Sequence, residues 1–259
     1  MEVEIITHNS LLETLLEEKN MSLKGGLYHQ TQVKLAYNSN RIEGSRLSED
    51  QTRYIFETNT LNVPSEETAD VDDIVETVNH FACFDFMLEY ASEPLTQDMI
   101  LEFHRILKSS TSDARKEWFC VGDYKSRANM VGDLETTPPE KVAQEMKQLL
   151  TEYKSKAIIE LEDILDFHVR FERIHPFQDG NGRVGRIVMF KECLTNDIMP
   201  FIIDHTHKLY YYRGLKEYHS EKGFLTDTCK SAQDNYTALV QYFFPAPDIS
   251  QDQQGQTML

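Results

Sequence analysis

The chain has 259 residues, 40% of them apolar, which is enough for one large core or for one domain with a helical appendage. Asp and Glu outnumber Lys and Arg by 43 to 26, and the resulting net charge of −17 argues against nucleic acid or an anionic membrane as a partner. No run approaches the ~20 apolar residues of a membrane span, no signal sequence opens the chain and the 4 cysteines are far apart, so we expect a cytoplasmic protein with reduced thiols.

Residues 1–69 predict an N-terminal helical segment. Paired apolar residues indicate a helix over residues 2–20, and a second helix is expected from about residue 27 to Glu43, with Gly44 as its C-cap. A capping box at 48–51 begins a third helix. A polar connection over 57–69 then leads to the main domain, residues 70–244.

Two polar residues near the end of the second helix share one face. Ser39 and Glu43 are four positions apart, so the hydroxyl can orient the carboxylate. Taken alone, the pair is better explained as an ordinary exposed glutamate before a glycine cap.

The main domain reads as mostly helical, with one interruption. Apolar residues recur at helical spacing from Asp70 to about Tyr90 and again after Thr96, where His104 is expected to be a core histidine. Residues 119–137 break this period. Short β-type runs at 119–124 and 128–132 predict a hairpin there, with a plain irregular connection as the alternative.

After the hairpin the helical pattern resumes. Thr137 to Glu140 form a capping box with proline at the first helical position. A further helix from about Leu161 to Ile174 leads into the most informative stretch of the chain. The last helix is expected from about Leu225 to Phe244, and residues 245–259 form a polar tail.

The stretch from His175 to Arg186, HPFQDGNGRVGR, has the composition of a phosphate-handling loop. Its glycines allow close approach of the backbone and inward-pointing N–H groups, and the helix that follows directs its positive end to the same place. Arg183 and Arg186 suit phosphate oxygens, Asp179 is a hard ligand for Mg²⁺, and His175 can accept a proton near neutral pH. A plain helix–loop–helix turn explains the glycines but not the other residues together.

These twelve residues resemble the signature of the Fic domain family, His-x-Phe-x-(Asp/Glu)-Gly-Asn-Gly-Arg-x-x-Arg. The resemblance implies an all-α Fic-fold helical bundle with a small β-hairpin flap, and transfer of AMP from ATP to a protein hydroxyl with Mg²⁺ present. By position it implies the following roles: general base, His175; loop anchor, Phe177; metal ligand, Asp179; phosphate cradle, Gly180, Asn181 and Gly182; β/γ-phosphate binding, Arg183 and Arg186.

The resemblance also assigns roles outside the loop. Ser39 and Glu43 fit the family's inhibitory helix, in which the glutamate pairs with the second motif arginine, here Arg186, and excludes the γ-phosphate. Tyr211, Tyr212 and Leu215 resemble a segment that lines the adenine pocket. The target protein is expected to dock at the flap, near residues 122–135, by strand addition.

The function predicted on this basis is adenylylation of a Ser, Thr or Tyr side chain of a target protein, or of the chain itself, held off by Glu43. One alternative is the reverse reaction, hydrolysis of an AMP-modified target with Glu43 steering a water. Another is a nucleotide-sensing interaction module without catalysis. The motif does not fix AMP as the transferred group, and homo-oligomerisation is left open.

Overall fold

The computed structural model of this chain describes residues 8–63, 68–132 and 134–245. Within these ranges the chain is a helical protein with one small sheet, which confirms the predicted all-α fold. The helices are α1 His8–Asn20, α2 Leu27–Glu43, α3 Glu49–Thr58, α4 Val71–Glu89, α5 Gln97–Lys108, α6 Pro139–Lys154, α7 Leu161–Ile174, α8 Asn181–Thr195, α9 Lys208–Glu217 and α10 Gly223–Phe243.

Helix ends lie where local chemistry favours them. Gly44 ends α2 in the left-handed conformation, with φ 109°, and Ser48 and Gln51 form a reciprocal capping box before α3. Helix α6 begins one residue later than the predicted capping box would place it: Pro138 is the N-cap, and the Thr137 hydroxyl instead donates to Glu145 Oε2 at 2.5 Å.

The hairpin is smaller than predicted. Strands β1 (Met130–Val131) and β2 (Leu134–Glu135) pair antiparallel, with Met130 opposite Glu135. The expected strand over 119–124 is wrong, because the chain there makes turns. Gly122 has φ 73° and donates its N–H to His104 Nδ1 at 3.0 Å, so this backbone group is engaged by a side chain and not by a neighbouring strand.

Helix α8 runs through the centre of the molecule, and nearly all of its residues are buried. Around it pack α7, α5, α4 and α2. The N-terminal segment therefore shares the main core: Leu11, Leu15, Leu27 and Ile42 belong to the same hydrophobic cluster as Val184 and Phe190. The boundary at residue 69 stays a prediction. Of the predicted tail only Pro245 lies within the described residues.

No helix in the described ranges is both long and apolar enough to span a bilayer.

Candidate active site

A sharp reversal of the chain between α7 and α8 creates the site. His175 ends α7 in a left-handed conformation, φ 51°, and its N–H donates to Phe171 O at 2.9 Å. Gly180, also left-handed with φ 84°, is the N-cap of α8. A side chain disfavours this conformation, so glycine is the suitable residue at 180. The five residues 176–180 thus return the chain to the N-terminal end of α8.

Phe177 and Asn181 anchor this loop. Phe177 is completely buried and stacks on His104, with ring centroids 4.0 Å apart. The Asn181 amide accepts from Phe177 N–H at 2.8 Å and donates to Phe177 O at 2.9 Å. Burial lowers the pKa of His104 to about 3, so this ring is neutral and structural, as predicted. Asn181 is seen holding the loop, and its phosphate role stays a prediction.

His175 is half-buried at the mouth of the site. Its Nδ1 lies 3.3 Å from Glu172 O, so a proton on Nδ1 leaves Nε2 as the free basic nitrogen. Burial lowers the pKa of His175 below its ordinary value, and the Glu172 carbonyl acts in the opposite direction. A neutral imidazole with one exposed acceptor is what a general base near pH 7 requires.

Asp179 belongs to a compact charged cluster. Its Oδ2 lies 2.6 Å from Lys108 Nζ and 3.0 Å from the Arg183 guanidinium. Glu76 on α4 pairs with both cations, and Asp113 lies 3.2 Å from Lys108 Nζ. Burial alone would raise the pKa of Asp179, but Arg183 and Lys108 outweigh it and hold the pKa below its ordinary value. Asp179 is therefore a carboxylate at any physiological pH.

The residues at Asp179 suit a magnesium ion that arrives with phosphate ligands. The Asp179 side chain is 48% exposed, so the carboxylate is open to a ligand. Within the described ranges no group of three or more His, Cys, Asp or Glu residues is arranged to hold a metal alone. Mg²⁺ commonly binds one or two carboxylates and completes its shell with substrate phosphates and water. One exposed carboxylate beside the N-terminal end of α8 fits that mode.

Arg186 is paired with the helix that the sequence marked as inhibitory. Its guanidinium lies 2.6 Å from Glu43 Oε1 and donates to Ser39 Oγ and Ser39 O, each at 3.0 Å. Burial alone would lower the pKa of Arg186, but Glu43 reverses the effect and raises it. Ser39 and Glu43 lie 147 and 143 positions before Arg186 in the chain. The fold brings the three residues together in one ion-paired, hydrogen-bonded unit.

The Glu43 carboxylate lies over the start of α8. A Cβ on Gly182 would collide with Glu43 Oε1, and it would lie 2.9 Å from Arg186 NH1. The open backbone of Gly182 is therefore covered by the carboxylate. An anion bound at the free N–H groups of α8 would meet this negative charge and would lose Arg186 as a partner.

Glu172 is a functional candidate that the sequence did not reveal. It lies one turn before His175, and its Oε1 finds no hydrogen-bond donor among the described residues. Burial, and then the negative charge of Glu43, raise the pKa of Glu172 to about 8. A Cβ on Gly185 would meet both His168 Nδ1 and Glu172 Oε1, at 2.7 and 2.9 Å. No motif marks this glutamate, because only the packing of α7 on α8 brings it to Arg186.

The three residues expected at the adenine pocket differ in their surroundings. Tyr211 is 1% exposed, and its hydroxyl lies 2.5 Å from Nε2 of His168, a buried histidine of α7. Tyr212 is 39% exposed and reaches Ile42 O at the end of α2, while Leu215 is half-buried. Only Tyr212 and Leu215 present side-chain surface to a ligand. A cavity of about 360 Å³ between α9 and α10 lies apart from the loop, lined by Asp204, Tyr210 and Asp227 among others.

The segment leading into the hairpin is tied to the loop. Lys125 N–H donates to Pro176 O at 2.8 Å, and Asn129 Nδ2 donates to Phe177 O at 3.2 Å. The Lys125 ammonium donates to Asn129 Oδ1 at 2.7 Å and to Thr136 Oγ1 at 2.6 Å, so it joins both ends of the hairpin. The hairpin and the loop are therefore joined by direct hydrogen bonds.

Comparison with known proteins matches part of the chain to one family model and finds relatives of one kind. Residues 94–193 match the model of the Fic/DOC family. Over 184 residues the chain is 27% identical to the protein adenylyltransferase Fic of Nematostella vectensis, covering 70% of this chain and 42% of that protein. With protein adenylyltransferase fic-1 of Caenorhabditis elegans it shares 24% identity, covering 73% of this chain and 37% of the relative. The chain thus spans about two fifths of the length of these relatives.

Solved structures share the fold. A Fic domain-containing signaling protein from Bacteroides thetaiotaomicron superposes with a TM-score of 0.67 at 24% identity, covering 91% of each chain. Residues 134–508 of Fic-1 from C. elegans superpose with a TM-score of 0.66 at 21% identity, covering 90% of this chain and 71% of the other.

Proposed function

We propose that the chain, whose residues 94–193 match the model of the Fic/DOC family, is a protein adenylyltransferase, which moves AMP from ATP to a Ser, Thr or Tyr hydroxyl of a target protein. The observation that carries this proposal is the convergence of His175, Asp179, Arg183 and Arg186 at the N-terminal end of α8. The names of its relatives, protein adenylyltransferases, support the choice of group and acceptor.

Each part of the reaction has a residue suited to it. Nε2 of His175 takes the proton of the target hydroxyl, whose oxygen forms the new bond to the α-phosphorus while the bond to the β-phosphate breaks and pyrophosphate leaves. The free N–H groups of α8, with Arg183 and Arg186, hold the negative charge of the phosphates. Mg²⁺ bound at Asp179 would neutralise further phosphate charge.

Autoinhibition by Glu43 forms part of the proposal. With Glu43 on Arg186, the guanidinium that would hold the γ-phosphate is occupied, and a carboxylate lies over Gly182. ATP then binds weakly, or in a pose unsuited to attack. Activation requires that Glu43 leave this position.

The proposal also covers target docking, adenine binding and location. Docking of the target at 122–135 is supported by the hydrogen bonds between Lys125, Asn129 and the loop backbone. Stacking of adenine is assigned to Tyr212 and Leu215, the exposed members of the predicted set. A cytoplasmic location is retained from the sequence as a proposal.

The decisive experiment compares three forms of the chain incubated with ATP, Mg²⁺ and a cell lysate, with adducts read by intact mass. Glu43→Gly is expected to label itself or a lysate protein with AMP, because Arg186 is then free for the γ-phosphate. Wild type should label weakly or not at all. The double variant Glu43→Gly/His175→Ala should be inactive, since no base remains to take the hydroxyl proton.

Each contrary outcome has a specific meaning. Equal labelling by wild type and Glu43→Gly would contradict inhibition by Glu43 and leave the transferase assignment standing. No AMP adduct in any form would contradict the transferase assignment. Hydrolysis of an AMP-modified protein by wild type but not by Glu43→Gly would then favour the reverse reaction.

A further inference from the structure

Lys108, the last residue of α5, lies beneath the catalytic loop. Its side chain is only 2% exposed, and its methylene groups come within 3.6 Å of the position a Cβ on Gly180 would take. The ammonium group faces three carboxylates, with Nζ 2.6 Å from Glu76, 2.6 Å from Asp179 and 3.2 Å from Asp113. A lysine carries three N–H donors, so each donor has one carboxylate.

This arrangement places a positive charge where it competes with a metal. The ammonium bonds Asp179 Oδ2, the side chain proposed above to hold Mg²⁺, and so does Arg183 at 3.0 Å. A cation that binds this carboxylate must displace part of these contacts or approach the remaining oxygen against the repulsion of two nearby positive groups. In return, the two cations hold the side chain in place when nothing else is bound.

We propose that Lys108 is a positioning residue of the proposed transferase: it holds Asp179 in the catalytic loop and keeps divalent cations off this carboxylate until a nucleoside triphosphate supplies further oxygen ligands. The inference rests on the proposed function for the identity of the nucleotide. Suppression of metal binding by Lys108 in the absence of nucleotide depends only on the chain and the metal ion.

The charges of the cluster give the expected direction. Glu76, Asp113 and Asp179 contribute three negative charges, and Lys108 and Arg183 contribute two positive ones, so the cluster carries a net −1. Removing the ammonium changes the net charge of the cluster from −1 to −2 and leaves three carboxylates around the vacated position. Oxygen-rich sites of this charge attract divalent cations.

The test is a titration with Mn²⁺ in the absence of nucleotide, followed by electron paramagnetic resonance of the free ion. Lys108→Met keeps an apolar stem under Gly180 and is expected to bind Mn²⁺ at least about tenfold more tightly than wild type, because one nearby repulsive charge is gone. Mn²⁺ should also raise the melting temperature of this variant and leave that of wild type unchanged.

Lys116→Met is the matched control. Lys116 pairs with the same Asp113, at 2.5 Å, but it is 46% exposed and does not touch Asp179. This variant loses the same charge close to the cluster and should bind Mn²⁺ like wild type. Equal Mn²⁺ affinity in Lys108→Met and wild type would overturn the proposal, and so would an equal gain in Lys116→Met, which would reduce the effect to net charge.

A second comparison avoids the risk that Lys108→Met does not fold. Without nucleotide, wild type and Asp179→Asn are expected to show the same weak Mn²⁺ binding, because the charges of Lys108 and Arg183 compete with a metal for the exposed Asp179 carboxylate. A Mn²⁺ site in wild type that disappears in Asp179→Asn would overturn the proposal. None of these measurements requires AMP transfer, so loss of the proposed activity and loss of this inference are separate outcomes.

Discussion

Glu172 lies in surroundings that disfavour a negative charge. Its carboxyl group lies in the core beside Gly185, near a second carboxylate, Glu43, and its Oε1 has no donor within the described part of the chain. Charged groups face it from the packed elements: Arg186 on α8, which lowers its pKa, and Glu43 on α2, which raises it. Burial is the largest cause, and the pKa rises to about 8. The folded protein therefore holds a proton here at neutral pH.

The raised pKa predicts how stability depends on pH. Between the ordinary value of 4.5 and about 8 the folded state binds a proton at Glu172 that the unfolded state has released. Glu172 thus leaves the free energy of unfolding unchanged below about pH 4.5. It lowers the free energy of unfolding as the pH rises from 4.5 to about 8, and the decrease stops above about pH 8. Glu172→Gln copies the neutral form. Its free energy of unfolding should exceed that of wild type by less than about 1 kcal/mol at pH 5 and by roughly 4 kcal/mol at pH 8, measured by urea denaturation.

A matched control separates burial from the mere loss of a carboxylate. Glu152 is an exposed glutamate paired with Arg170 at 2.6 Å, and hydrogen bonds from Gln148 and then Arg170 lower its pKa. Glu152→Gln should differ from wild type by the same amount at pH 5 and pH 8. A difference between Glu172→Gln and wild type that does not change with pH would contradict the neutral carboxyl group.

Residues of the site divide into those that the sequence could predict and those that it could not. His175, Asp179, Arg183 and Arg186 lie within one stretch of twelve residues, and their spacing at a helix start predicts the chemistry. Lys108 and Glu76 lie 71 positions or more from Asp179 or Arg183 and carry no motif, so only tertiary packing identifies them. Buried lysines are uncommon, and the sequence at the C-terminal end of α5 does not reveal that Lys108 is buried.

Helix α2, which in the proposed function keeps the site closed, is held in place by more than one contact. Besides the Glu43 ion pair, Arg186 Nε donates to the Ser39 hydroxyl and the guanidinium also reaches the Ser39 carbonyl. From α9, Lys208 bonds the carbonyl of Ile42. The last turn of α2 is therefore docked through side-chain and backbone acceptors together.

This docking predicts a graded release. Ser39→Ala removes one hydrogen bond from a charged donor, worth about 1.5–3 kcal/mol, and leaves the Ser39 carbonyl and Glu43 in place. If half of that energy favours the closed state, self-labelling with AMP should rise roughly 3- to 13-fold over wild type and stay below that of Glu43→Gly. Initial rates of self-labelling with radiolabelled ATP measure the order of activity among wild type, Ser39→Ala and Glu43→Gly.

Ser45→Ala is the control for a buried serine beside the same helix. Its hydroxyl accepts from Leu47 N–H at 3.4 Å and has no hydrogen bond to Arg186, so its labelling rate should equal that of wild type. A Ser39→Ala rate equal to wild type, with Glu43→Gly active, would show that the hydroxyl does not hold the inhibitory helix.

The accuracy of the sequence at the level of elements follows from how local each signal is. Helix ends at Gly44, Ser48 and Thr96 were predictable, since capping groups act within a few residues. The strand expected over 119–124 failed, because its conformation depends on His104, a residue 18 positions away from Gly122. β-propensity describes a pleated surface with a partner, and here no partner strand exists within the described residues.

At the scale of the whole molecule, the proposed inhibition and the stability of the core rest on the same contacts. Helix α8 passes through the centre of the core and carries both Arg183 and Arg186, each at most 4% exposed. Buried guanidinium groups need anions, and the chain supplies them from α4 through Glu76 and from α2 through Glu43. Helix α2 is therefore part of the structure that keeps the core charge-balanced, and under the proposed function the nucleotide would replace Glu43 as the partner of Arg186.

The last prediction follows from this competition. Glu43→Gly leaves the Arg186 guanidinium buried without its carboxylate and should lower the free energy of unfolding by about 1–3 kcal/mol, less than for a fully buried pair because Glu43 is 31% exposed. A non-hydrolysable ATP analogue with Mg²⁺ returns an anion to Arg186, so it should raise the melting temperature of Glu43→Gly by several degrees and that of wild type far less. Glu152→Gly, which breaks an exposed pair with Arg170, controls for the glycine substitution and should show the small shift of wild type. Equal shifts in Glu43→Gly and wild type would mean that Glu43 and the triphosphate do not compete for Arg186, and the activation of Glu43→Gly would then need another cause.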